Sequence, residues 1–164
     1  MTDAQRFRQA WGQWATGVSV VTTIQTDGHV HGMAANGINS VSLDPLLVLL
    51  CIAHNRNSYP LVKESSRFAI NILNENQAAI GKYYARPAEQ RTGDIEPSFV
   101  FTEQGSAIIA DCLASMDCHV VTAHVSGDHT IFIAEVDEIR LNHGRPLIFY
   151  EGKMTPLGET ELQS

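Results

Sequence analysis

The chain has 164 residues, 44% of them apolar and 18% charged, enough for one hydrophobic core and too few for two full domains. Eleven Lys and Arg against 18 Asp and Glu give a formal charge of −7. That argues against a general binder of nucleic acid or anionic membrane, both of which need a positive field. The longest apolar run, Leu46 to Ala53, falls far short of a bilayer span, and the opening MTDAQRFRQAWGQW lacks the apolar stretch of a secretory signal. The expected location is cytoplasmic.

Residues 2–15 are expected to form an amphipathic helix. Thr2 or Asp3 can cap it, Ala4, Phe7, Trp11 and Trp14 recur at helical spacing, and Gly17 ends it. Val18, Val20, Thr22 and Ile24 alternate with their neighbours as in a strand, and the turn Thr26-Asp27-Gly28 leads into a second strand near 30–36. The run 46–53, with Pro45 before it and His54-Asn55-Arg56-Asn57 behind it, reads as a short strand buried on both faces. Ser58–Lys63 can make one or two helical turns with Ser58 as the N-cap, and Phe68–Leu73 is another strand. Residues 75–85 read as helical. Residues 86–108, punctuated by Pro87, Gly93, Pro97 and Gly105, read as a long ordered loop. Met116–Val125 and Thr130–Leu141 are long β-rich runs around Ser126-Gly127-Asp128-His129, and Pro146–Tyr150 adds a last strand. The tail after Gly158 is polar and expected to be loose. About seven strands without βαβ alternation predict a mainly β fold, a closed antiparallel barrel with an N-terminal helix and short decorating helices. It is expected to be a single domain over 1–164, with its core in about 6–154.

Three cysteines, at 51, 112 and 118, make no disulfide framework, and Cys112 and Cys118 read as buried core thiols. The seven histidines show no HExxH and no paired CxxC, so no metal site is expected.

Three segments could carry chemistry. In 31–45 a strand runs into Asn36, Gly37, Asn39, Ser40 and Ser42, where small side chains let a flat ligand approach the main chain. Composition alone favours a turn with Asx and Ser chemistry there. Asn55-Arg56-Asn57-Ser58 leads into a helix N-terminus and can hold an anion, with Arg56 adding bidentate contacts, or it is a plain cap beside a solvated arginine. His129 sits in a turn between strands, where a solvated histidine is the commoner case.

Taken together and in order, these segments resemble the short-chain NAD(P)H:flavin oxidoreductase family, whose fold is the FMN-binding split barrel. Phe7–Thr23 (FRQAWGQWATGVSVVTT) is similar to the family's opening helix and first strand, and Gly32–Pro45 (GMAANGINSVSLDP) to its flavin-contacting strand and loop. Leu46–Cys51, Asn57-Ser58 and Ser66–Leu73 (SRFAINIL) continue the pattern; Gly127–Val136 (GDHTIFIAEV) resembles its GDH strand and Pro146–Gly152 (PLIFYEG) its closing strand.

The resemblance implies a reductase that passes hydride from NADH or NADPH to FMN or FAD and supplies reduced flavin to a separate monooxygenase component. It also implies a homodimer. By resemblance, Asn36, Gly37, Ile38, Asn39 and Ser40 hold the isoalloxazine, and Ser42 and Leu43 are the next contacts. Asn57, Ser58 and Tyr59 lie on the phosphate side with Arg56. His129 stands near the nicotinamide as a positioning residue or proton donor, and Phe149, Tyr150, Glu151 and Gly152 lie beside that cofactor. Position 34 is Ala where many relatives carry Thr, and position 37 is Gly where Ser is common, so main-chain donors must do more here. Tyr83-Tyr84 stands where relatives often have Arg-Phe, which makes neighbouring Lys82 the candidate cation; Met154 replaces a usual Tyr or Arg. Two other readings remain open at this level. One is a tightly FMN-bound electron-transfer flavoprotein of the same fold, the other a non-enzymatic module for flavin or another small ligand.

Overall fold

The computed structural model describes residues 1–91, 95 and 97–158. Helix α1 spans Asp3–Gly12 and opens with a capping box, in which Thr2 Oγ1 accepts the Gln5 N–H and Gln5 Oε1 accepts the Thr2 N–H. No residue of α1 is buried, so little packing prolongs it, and it stops at Gly12 rather than Gly17. Gly17 belongs instead to a short strand, β1 (Thr16–Gly17).

Strands β2 (Ser19–Ile24) and β3 (Val30–Ala35) form a hairpin closed at Gly28, whose φ of 85° suits glycine. The expected alternation fails in β2, where Ser19–Thr23 are all buried. Its two faces serve different cores, Val21 packing in one and Val20 in the other. Strands β4 (Ile38–Leu43) and β5 (Leu46–Ala53) follow. Contrary to expectation, β5 is buried on one face only, through Val48, Leu50 and Ile52. Long apolar runs thus do not require two covered faces.

Helix α2 covers Ser58–Ser65, β6 covers Arg67–Ile72, and a 3-10 turn at Glu75–Gln77 runs into α3 (Ala78–Ala85). The stretch expected to be loop holds a 3-10 turn at Ala88–Gln90 and a small hairpin, β7 (Phe99–Phe101) with β8 (Ala107–Ile109). The hairpin is tied down by Asp117, a fully buried carboxylate that accepts from Thr102 Oγ1 and Ser106 Oγ at 2.6 Å each and from Arg67 Nη2 at 2.9 Å. Gly93 of that stretch and the polar tail beyond Gly158 lie outside the described residues.

Two 13-residue strands, β9 (Ala114–Ser126) and β10 (His129–Leu141), are followed by β11 (Leu147–Tyr150) and β12 (Lys153–Pro156). Strand β12 was not expected; it folds back at Glu151 and Gly152, whose φ values are 46° and 78°.

The main sheet is antiparallel throughout, in the order β3-β2-β6-β9-β10-β5-β4. Its two margins, β3 and β4, are consecutive in the chain yet unpaired with each other, so the barrel is split rather than closed, with Asn36 and Gly37 bridging the gap. Cys112 and Cys118 are buried as expected, and burial pushes the Cys118 thiol up to about 12. Among the described residues no helix is long and apolar enough to cross a membrane, and no three His, Cys, Asp or Glu side chains cluster as metal ligands.

Candidate active site

The split is where the chemistry-bearing residues gather. Ala34, Ala35, Asn36 and Gly37 carry small or short side chains at the end of β3, and neither Asn36 nor Gly37 belongs to a ladder pair. The Gly37 carbonyl accepts the Cys51 N–H at 2.7 Å. A Cβ on Gly37 would come within 3.2 Å of the Cys51 carbonyl oxygen, so a side chain at this position would press on the β5 backbone.

Four clefts meet along this margin. One, of about 250 Å³, is lined by His31, Ala34, Asn57, Ser58, Tyr84, the three arginines Arg56, Arg86 and Arg91, and Glu89. The next, about 340 Å³, shares Met33, Ala34, Asn55 and Arg56 with it and adds Arg8, Asn36, Gly37, Cys51, Asp128 and His129. A small cleft of about 150 Å³ runs past Asn36 to Phe149 and Met154. The last, about 490 Å³, lies between Trp11, Trp14 and Thr16 on one side and Asn36, Gly37, Ile38, Asn39 and Leu49 on the other. Asn36 borders three of the four, so together they make one branched groove with a cationic end and an aromatic end.

His129 opens β10, and its Nδ1 lies 2.6 Å from Asp128 Oδ1. This hydrogen bond and the imidazole's charge hold the Asp128 carboxyl below its usual range. With Nδ1–H donated to the carboxylate, Nε2 is the nitrogen left for a ligand.

At the cationic end, the sequence-based cap assignment needs correction. Asn57, not Ser58, is the N-cap of α2, and it makes no side-chain cap bond. The Ser58 hydroxyl is 2.9 Å from His31 Nε2, in a pair buried to 2% and 9% exposure. Burial and the Arg91 charge both lower the His31 pKa, so the pair is a neutral hydrogen bond. Arg91 lies over the rings of Tyr83 and Tyr84, 5.7 and 5.1 Å from their centroids.

Several other expected contacts fall elsewhere. Tyr59 turns inward against His54 and Phe132, at 4.8 and 6.2 Å between centroids. Ser40, Ser42 and Leu43 continue along β4 beyond the clefts: Ser42 Oγ accepts the Asp44 N–H, and Leu43 is 87% exposed. Lys82 is exposed on α3 and lines none of the four clefts; Arg91 is the cation beside the two tyrosines. Phe149 reaches the groove. Tyr150 and Glu151, by contrast, grip Gln13 at the end of α1: Tyr150 Oη–H donates to Gln13 Oε1 at 3.3 Å and Gln13 Nε2 donates to Glu151 Oε1 at 2.7 Å. Gly152 completes that turn.

Sequence reasoning missed Arg8, His31, Arg86, Arg91 and the placement of Trp11 and Trp14. One signal was present. Gly32, inside a strand, marks a close approach, since a Cβ there would lie 2.4 Å from Tyr84 Cε1.

The small flat floor, the cationic end and one orphan fit a flavin nucleotide. The orphan is Thr16 Oγ1, a buried hydroxyl with no hydrogen-bond partner among the described residues, on a residue that lines the same cleft as Asn36–Asn39. Comparison with known proteins agrees with this fit. Residues 11–158 match the model of the flavin reductase like domain. An NADH-dependent flavin reductase from a Rhodococcus species is 34% identical over 152 residues, 92% of this chain and 84% of that protein. The reductase subunit HsaB of a flavin-dependent monooxygenase from Mycobacterium tuberculosis is 35% identical over 158 residues, 93% of this chain and 82% of that one. Among solved structures, flavin reductase PheA2 in its native state superposes with a TM-score of 0.88 at 38% identity, covering 97% of this chain and all of that one. The split barrel is thus that of a known enzyme family, and this chain belongs to the flavin reductases.

Proposed function

We propose that the groove holds FMN or FAD together with NADH, so that the chain works as an NAD(P)H:flavin oxidoreductase supplying reduced flavin to a separate monooxygenase. The observation that carries this reading is that the arginine-lined cleft and the His129 cleft share Met33, Ala34, Asn55 and Arg56 and run past the small residues at Ala34–Gly37. When bound, the flavin accepts a hydride from the dihydronicotinamide; that chemistry belongs to the two cofactors.

The chain's own residues bind and orient. Ala34, Ala35 and Gly37 give a flat ring system access to the main chain, and amide groups there meet negative charge that builds on its carbonyl edge. Asn36, Ile38 and Asn39 flank the ring, Thr16 Oγ1 offers an unused hydroxyl, and Arg56 and Asn57 face the phosphate side. His129, oriented by Asp128, forms the wall against which the nicotinamide stacks, and holding the two rings within about 3–3.5 Å is what the hydride step requires. Phe149 closes the far side. The name of the Rhodococcus relative favours NADH as donor, and that of the Mycobacterium relative favours an oxygenase partner.

A homodimer belongs to this reading. Phe7 and Trp11 on α1 and Trp14 just after it are 65%, 52% and 60% exposed, and Val41 and Leu43 of β4 and Leu46 at the start of β5 are exposed at that margin. A second copy of the chain is the occupant that would desolvate them. A cytoplasmic location accords with three free thiols.

The test is NADH oxidation by the purified chain with FMN or FAD added. Turnover with either nucleotide is expected; a protein inert with both overturns the proposal.

A further inference from the structure

We propose that α1 holds the non-reacting half of the hydride donor. Arg8 takes the pyrophosphate and Trp11, backed by Trp14, stacks the adenine, so the groove selects the whole dinucleotide over truncated dihydronicotinamides. This rests on the flavin reductase reading above and adds to it residues of the N-terminal helix and a selectivity among donors.

The first ground is where α1 stands. No residue of the helix is buried. It is tied to the barrel at its C-terminal end, where the Gly12 carbonyl accepts the Glu151 N–H at 3.1 Å and Gln13 is gripped by Tyr150 and Glu151. The helix therefore adds little to the core, yet it brings Arg8 to the His129 cleft and Trp11 to the cleft of about 490 Å³. Residues three apart share a helix face about 5 Å from each other along the axis. The two clefts also share Asn36 and Gly37. A donor whose nicotinamide stacks by His129 thus meets first a guanidinium and then an aromatic surface, the order in which pyrophosphate and adenine follow nicotinamide in the dinucleotide.

The second ground is the chemistry of these two stations. The Arg8 side chain makes no hydrogen bond or ion pair among the described residues, and the carboxylate lining its cleft, Asp128, is bonded to His129. A guanidinium so placed suits a bridging phosphate. The Trp11 and Trp14 rings stack on each other, 5.1 Å apart at 17°, and both are more than half exposed. Among the described residues no charged side chain lines their cleft, so its chemistry is that of a base and not of a phosphate. Asn36, Ile38 and Asn39 across the cleft flank the flavin, which leaves the indole wall for the donor. The cleft lies on the barrel side of α1, so a second copy that covers the helix from outside leaves it open.

The experiment measures kcat and KM with FMN as acceptor for three donors: NADH, reduced nicotinamide mononucleotide, and 1-benzyl-1,4-dihydronicotinamide, which lacks both phosphate and adenosine. The wild-type chain should show its lowest KM with NADH. Arg8→Ala should raise that KM by at least about tenfold, as loss of a charge-assisted hydrogen bond does, and Arg8→Lys should recover part of it. Trp11→Ala should raise it by about fivefold or more, as loss of a stacked base does, with Trp11→Phe close to wild type. Trp11→Ala should leave KM for the mononucleotide unchanged. In both alanine variants the benzyl donor's kcat/KM and the FMN dissociation constant should hold, which also shows that they are folded. A rise shared by NADH and the benzyl donor, a loss of FMN affinity, or a wild-type chain with the same KM for all three donors each overturn the proposal. A chain that reduces no flavin with any donor would instead strike at the reductase reading itself.

Discussion

Tyr84 packs directly on Gly32: a Cβ at that glycine would sit 2.4 Å from the ring. The ring in turn carries the Arg91 guanidinium on its face, so a strand glycine, a helix tyrosine and a loop arginine make one stack at the cationic end of the groove. Gly32→Ala should push Tyr84 out of place and destabilise the fold by about 1–3 kcal/mol, the usual cost of overpacking. It should weaken FMN binding as well. Thermal melting and an FMN titration check both; an unshifted melting temperature would mean that the stack is looser than the structure has it.

His129→Ala should raise KM for NADH and lower kcat/KM while leaving the FMN dissociation constant within about twofold, because the imidazole is assigned to the nicotinamide side. Asp128→Asn should shift the same parameters by less, since it weakens the orientation of the ring without removing it. Steady-state kinetics with varied NADH distinguish these outcomes from a loss of flavin affinity, which would reverse the assignment.

Arg56 lines both the cationic cleft and the His129 cleft. Arg56→Ala should raise the flavin KM by removing a charged hydrogen bond worth roughly 1.5–3 kcal/mol, with kcat little altered. An unchanged flavin KM would take Arg56 out of the site.

Asp117 is fully buried and accepts three hydrogen bonds far from the groove. Asp117→Ala leaves the buried Thr102 and Ser106 hydroxyls without their acceptor, while Arg67 keeps Asp137, and should cost about 1–3 kcal/mol of stability for each stranded donor. Below the lowered melting temperature, the KM values for flavin and NADH should be those of the wild type. Denaturant unfolding and kinetics on the same sample check the separation.

The exposed Leu43 lies on the sheet margin proposed to meet a second copy. Leu43→Glu should shift the protein toward the monomer in sedimentation velocity. A wild-type chain that sediments as a monomer would remove the dimer altogether.

Much of this architecture was legible in the residues. Turn residues at Gly28 and Gly127 and the apolar runs at 46–53 and 68–73 located the main strands, because hydrophobic pattern and turn chemistry are local properties. The ordered motifs carried the fold and the flavin reductase family, and Asn36, Gly37, Ile38, Asn39, Arg56, Asn57, Ser58, His129 and Phe149 all border the groove. What local pattern could not supply was long-range placement. Arg91 reaches the cationic cleft only because its side chain folds back over Tyr83 and Tyr84 of α3. Strands β7 and β8 exist because Asp117, from β9, gathers their connecting turn. Tyr59 and Lys82 line none of the four clefts, for the complementary reason. Each adjoins a segment that reaches the groove, but helical rotation turns Tyr59 into the core and leaves Lys82 in solvent.

The central claim is that the split margin brings a flavin and a dihydronicotinamide together. Anaerobic mixing of the chain with NADH and excess FMN tests it most directly, read as loss of the flavin's yellow absorbance. Catalytic bleaching in step with NADH consumption is the predicted result; FMN that stays yellow at the uncatalysed rate would contradict the account.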